Sequence, residues 1–153
     1  MTLRNQIEED IRDAQRSRSQ ARLDALRFLK SAVLDVEKSQ GKSLDDPAML
    51  EVINRQVNDR RESIRMFQQG NRPDLVAKES AELAILEQYL PPQLSLEELD
   101  RLIRQVIDEV GAQTMRDKGR VMGRLMPQVR SVADGAQVNA LVDQLLQSGE
   151  GSD

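Results

Sequence analysis

The sequence predicts an all-α protein in two parts, and three observations carry that expectation. Apolar residues recur at steps of three and four along most of the chain, and no segment alternates with the period of two that a half-buried strand requires. Among 153 residues only Phe28, Phe67 and Tyr89 are aromatic, so a core must be built from Leu, Ile, Val, Ala and Met. That mixture suits helix-on-helix packing, because sheets favour β-branched and aromatic residues. Pro91-Pro92 then separates two helical stretches at a point where no helix can continue.

The elements follow in order. Thr2 is an N-cap for a helix with Leu3, Ile7, Ile11 and Ala14 on one face, and acidic Glu8, Glu9 and Asp10 precede basic Arg12, Arg16 and Arg18 as the helix dipole favours. A break near Ser17–Ser19 leads into a second helix with the stripe Leu26, Leu29, Val33 and Val36. After a turn over 41–46, Asp46 before Pro47 is expected to cap a third helix carrying Leu50, Ile53, Val57, Ile64 and Phe67. Gly70 ends it, and Asn71 or Arg72 before Pro73 starts a fourth helix that runs through Leu75, Leu83, Leu86 and Leu90. Beyond the proline pair, Ser95 and Glu98 form a capping box for a helix with Leu99, Leu102, Ile103, Val106 and Val110, stopped by Gly111. Thr114 with Asp117 opens a helix through Val121, Met122, Leu125 and Met126, and Asp134-Gly135 opens the last, through Val138, Leu141, Val142, Leu145 and Leu146. The expected organisation is a four-helix domain over 1–90, a Pro-Pro hinge, a three-helix domain over 91–148 and a mobile tail over 149–153.

Composition narrows the function. Hydrophobic residues make up 39% and charged residues 31%, with a net charge of −4, so any electrostatic contact with nucleic acid is local and a DNA partner is not expected. Cysteine and histidine are absent, which removes disulfides, thiolate nucleophiles, imidazole acid–base chemistry and Cys/His zinc sites. No cofactor, metal or catalytic residue is assigned. The paired acids Asp45-Asp46 and Glu97-Glu98 fall at helix starts, where capping explains them. Tyr89, just before Leu90-Pro91-Pro92, reads as an anchor more than as a general acid. The first residues turn acidic without an apolar run and no apolar stretch is long enough to span a bilayer, so no membrane association and a cytoplasmic location are expected.

Two basic clusters are the candidate sites. Arg60 interrupts the apolar stripe of the third helix, with Arg61, Arg65 and Arg72 nearby and Glu79 and Glu82 on the inner stripe of the next helix. This set is either an interhelical ion-pair lock or a partner or phosphate site. The second runs from Arg116 to Arg130. Arg116, Lys118, Arg120, Arg124 and Arg130 oppose one acid, Asp117, for a local charge of +4 within a part of the chain that sums to −3. Arg116, Arg120 and Arg124 recur every four residues and share a helix face that could meet successive phosphates. Gly119 and Gly123 on that helix serve either close approach of an external backbone or tight packing against another helix. No aromatic residue lies nearby to stack on bases.

Several of these strings together resemble the YqeY family. Arg60-Arg61-Glu62-Ser63-Ile64, Phe67, Gly70, Arg72, Asp74-Leu75 and Glu87-Gln88-Tyr89-Leu90-Pro91, then Gln93-Leu94-Ser95, resemble its N-terminal signature. Gly119-Arg120-Val121-Met122-Gly123, Met126-Pro127 and Ala133-Asp134-Gly135 resemble its C-terminal one. The chain departs from the pattern at Lys118, where an apolar residue is common, and at Ser131-Val132, where glycine and a basic residue are common. The family is similar to the tail domain of the B subunit of glutamine-dependent aminoacyl-tRNA amidotransferase. The resemblance implies a helical bundle followed by a three-helix unit that contacts tRNA, with Lys118, Arg120, Arg124 and Arg130 as the comparable RNA-facing positions. It implies an accessory that is not catalytic by itself. The alternatives are a protein–protein adapter for amidotransferase or other translation proteins, and a carbon–nitrogen ligase component using glutamine as amido-nitrogen donor only within a complex.

Overall fold

A computed structural model of the chain describes residues 2–150, and these are all-α: seven α-helices and one 3-10 turn, with no strand among the described residues. The helices are α1 (Leu3–Arg16), α2 (Gln20–Gln40), α3 (Asp46–Gln69), α4 (Pro73–Glu87), α5 (Leu96–Val110), α6 (Lys118–Val129) and α7 (Gly135–Glu150), with the 3-10 turn at Met115–Asp117. The chain divides into two compact units, 1–90 and 91–153.

In the first unit the core joins Ile7 and Ile11 of α1, Leu26, Leu29 and Val33 of α2, Met49, Val52, Ile53 and Val57 of α3, and Leu86 of α4. Thr2 caps α1 by accepting a hydrogen bond from the Asn5 amide. The break between α1 and α2 is made by Arg18, whose φ of 55° is left-handed. That conformation lets the Ser19 amide reach back to the Ala14 carbonyl at 3.0 Å. The start of α3 corrects the expected cap by one residue. Asp45, not Asp46, accepts from the Ala48 amide, while the Asp46 carboxylate accepts from the Leu3 amide at 3.2 Å. A similar shift occurs at the end of α3, where Asn71 takes the left-handed conformation (φ 55°) and Gly70 does not.

Past Arg60, no residue of α3 is buried, and on α4 only Glu82 and Leu86 are. The far half of the α3–α4 hairpin therefore extends beyond the core, held by half-buried Ile64, Phe67, Leu75 and Val76. Tyr89, after the end of α4, donates its hydroxyl to Asp10 of α1 at 2.5 Å. Burial and then the Asp10 carboxylate push its pKa upward, which keeps the hydroxyl protonated as the donor in this bond.

In the second unit α5, α6 and α7 enclose Leu99, Ile103, Val106, Val121, Leu125, Val129, Val138, Val142 and Leu146. The Ser95–Glu98 capping box forms in both directions, and Gly111 ends α5 at φ 68°. Thr114 and Asp117 form a second capping box, but around the 3-10 turn that precedes α6. The segment after the proline pair is held to the α6–α7 turn. The Leu94 amide donates to the Val132 carbonyl at 2.8 Å, and the Gln93 side chain donates to the Ser131 carbonyl at 3.0 Å. α7 runs through Glu150, so residues 149 and 150 of the expected tail are helical. Its last turn lies beside the 112–114 loop, where a methyl group on Gly149 would come within 3.4 Å of the Gln113 carbonyl. Residues 151–153 of that expected tail lie outside the described residues.

Candidate functional site

Part of the first basic cluster forms ion pairs between α3 and α4. Arg60 Nη1 donates to Glu79 of α4 at 3.0 Å and also to Glu82, and its guanidinium lies 5.4 Å from the centre of the Phe28 ring on α2. Only 9% of the Arg60 side chain is exposed, and Glu82 is equally buried, so each charge depends on the other. Arg61 reaches Glu87 at 3.2 Å. Arg65 and Arg72 do not join this group: they pair with Glu62 and Asp74 on their own surfaces. A groove of about 430 Å³ borders the lock, lined by residues that include Asp24, Phe28, Asp59, Arg60 and Lys78.

The second cluster surrounds α6, and its basic side chains divide by role. Lys118 points toward α7 and pairs with Asp143 at 2.7 Å. Arg120 donates to Asp117 at 2.7 Å and to the carbonyl of Val110, the last residue of α5, at 2.9 Å. It thereby caps the C-terminus of α5, where orphan carbonyls favour a cation. Arg124 pairs with Glu109 of α5 at 2.9 Å. Arg116 precedes α6 in the 3-10 turn with its side chain exposed, and Arg130 follows α6, also exposed. Asp117 organises this corner. Its carboxylate accepts from the Gln113 and Thr114 amides and from Arg120, and these bonds, the Gln113 amide foremost, push its pKa down to about 2.

The pairs leave the arginines available at the surface. The side chains of Arg120 and Arg124 stay 59% and 58% exposed. Exposed pairs of this kind are weak, because water and salt screen them. Along α6 the buried positions are Val121, Leu125 and Val129, while Gly119, Arg120, Gly123, Arg124, Pro127 and Gln128 are exposed at helical spacing. The exposed face of α6 thus reads Gly, Arg, Gly, Arg, Pro, Gln.

The two glycines answer a question the spacing leaves open. A methyl group at Gly119 or Gly123 would meet no atom within 4 Å outside the helix. Among the described residues nothing packs against them. Glycine in a helix interior costs ~1 kcal/mol relative to alanine and proline ~3 kcal/mol, and Gly123 and Pro127 both lie inside α6 at exposed positions. Among the described residues no group of His, Cys, Asp or Glu is arranged to hold a metal ion, and no helix is long and apolar enough to cross a membrane.

Comparison with known proteins follows the same outline. The model of the family described as "Yqey-like protein" matches residues 4–146. Three similar proteins all bear the name "Altered inheritance of mitochondria protein 41, mitochondrial". The one from Pyrenophora tritici-repentis is 28% identical over 129 residues, covering 83% of this chain and 71% of its own. That from Lachancea thermotolerans is 30% identical over 107 residues, 68% of this chain. That from Saccharomyces cerevisiae is 28% identical over 105 residues, 67% of this chain. The matches span only 57% of the length of each of these two yeast relatives.

Proposed function

This chain belongs to the YqeY-like family, and from that premise we propose that it is a tRNA-associated accessory, not catalytic by itself, that offers the outer face of α6 to the RNA backbone. The observation that carries the reading is the arrangement of that face. Exposed arginines alternate with glycines against which none of the described residues packs. Arginine is the side chain suited to phosphate, and glycine lets a backbone come close. Arg116, Arg120 and Arg124 are the primary contacts; Arg130 extends the basic surface, and Lys118 supports it through Asp143. Because the second unit carries a net charge of −3, binding depends on this local ridge and falls steeply with salt. The cytoplasmic location read from the sequence belongs to this proposal, while the relatives' names place those proteins in mitochondria.

The test is fluorescence anisotropy of labelled tRNA over a salt series, with circular dichroism to check folding. Arg116→Ala/Arg124→Ala is expected to weaken binding and to lower the slope of log affinity against log salt by about one for each phosphate no longer neutralised. Gly119→Ala is expected to bind tRNA more weakly than wild type without losing stability. No binding at low salt would overturn the reading. A protein-adapter role would then come forward, with the Phe28 and Lys78 groove as its surface, because Phe28 is an exposed aromatic beside uncovered charge. A glutamine-dependent carbon–nitrogen ligase role would instead require transamidation that appears only with added partner subunits.

A further inference from the structure

Resting on the reading of α6 as an RNA-binding face, we propose that the main-chain carbonyl of Gly123 accepts a hydrogen bond from a ribose 2′-hydroxyl and so makes the ridge selective for RNA. In an α-helix the carbonyl of residue 123 accepts from the amide of residue 127. Residue 127 is proline, inside the helix, so that donor does not exist. The proline ring also pushes the preceding turn's carbonyl outward, away from the helix axis. Gly123 has no side chain to cover it, and its face of the helix is open to solvent. The adjacent Gln128 side chain does not substitute for the missing amide, since it donates to the Arg124 carbonyl at 3.2 Å.

The chemistry of the ridge gives this acceptor its meaning. Arg116, Arg120 and Arg124 can only donate, and phosphates satisfy donors equally well in RNA and in DNA. A backbone carbonyl between Arg120 and Arg124 does the reverse. It takes a proton donor, and the donor that distinguishes a ribose from a deoxyribose is the 2′-hydroxyl. Two phosphates held by the arginines would bring a sugar over the glycine, where no Cβ stands in its way.

The experiment compares an RNA hairpin with the same hairpin carrying 2′-fluoro sugars, which keep the sugar pucker but cannot donate. Wild type is expected to favour the hydroxyl-bearing hairpin by about fivefold, the size of one net hydrogen bond. Pro127→Ala restores the amide donor, and the ratio should fall close to one. Gly123→Ala crowds the carbonyl and should lower the ratio as well. The ratio is the readout, so any general change in the position of the arginines cancels. Equal wild-type affinity for the two hairpins, or a preference that Pro127→Ala leaves intact, overturns this assignment while the ridge reading stands. Failure of wild type to bind either hairpin overturns both.

Discussion

Arg60 has two carboxylates and an aromatic ring around it, and its Nε is buried without a hydrogen-bond partner among the described residues. Removing it does more than delete an attraction: Glu82 would remain buried and uncompensated. Breaking such a pair from one side costs ~3–5 kcal/mol, whereas replacing both partners with apolar groups of similar size is often close to neutral. Arg60→Met is therefore expected to lower the urea midpoint sharply, and Arg60→Met/Glu82→Met to recover most of the loss. A double variant no more stable than the single one would mean that Glu79 or Phe28, and not Glu82, sets the cost. The presence of this lock is legible in the sequence, because a guanidinium on an apolar stripe needs a carboxylate and Glu79 and Glu82 are placed to supply one. The exclusion of Arg65 and Arg72 is not. It follows from how far the hairpin extends past the core, which no local pattern encodes.

For the helices, the junction between α5 and α6 is where charge and backbone meet. Asp117 holds the amides of Gln113 and Thr114 and the guanidinium of Arg120, which in turn caps α5 through the Val110 carbonyl. Its pKa in the folded chain, about 2, lies below the ordinary value of 3.8. The stabilisation is thus complete above the unfolded-state value and is lost as pH falls through that window toward 2. Asp117→Asn should be less stable than wild type at pH 6, and the gap should narrow by pH 2.5 in denaturant titrations; a gap independent of pH would mean that this carboxylate contributes no charge-dependent bond.

Local signals are readable at this level. The Ser95–Glu98 box, Thr2 and Gly111 act within a turn or two, so residue type and spacing suffice to find them. Pairings across helices are not readable. Arg120 with Val110, Arg124 with Glu109 and Lys118 with Asp143 depend on which faces the core turns inward. The two possible roles of Gly119 and Gly123 are visible in the spacing, but choosing between them requires knowing what stands opposite each glycine.

Over the whole chain, each unit closes its own apolar core, one across α1 to α4 and one across α5 to α7. We therefore expect separately expressed fragments 1–90 and 91–150 each to be soluble and helical by circular dichroism, and to unfold cooperatively on heating. A fragment that lacks helix on its own would mean that its core is incomplete without the rest of the chain.

The bond between Tyr89 and Asp10 has an optical consequence. The protein contains no tryptophan and a single tyrosine, so its ultraviolet emission comes from one ring, and that ring donates to a carboxylate in the first unit. A carboxylate acceptor quenches tyrosine emission. Melting of the first unit should therefore brighten the sample, while melting of the second should be dark, giving each half of the chain its own spectroscopic channel without a label.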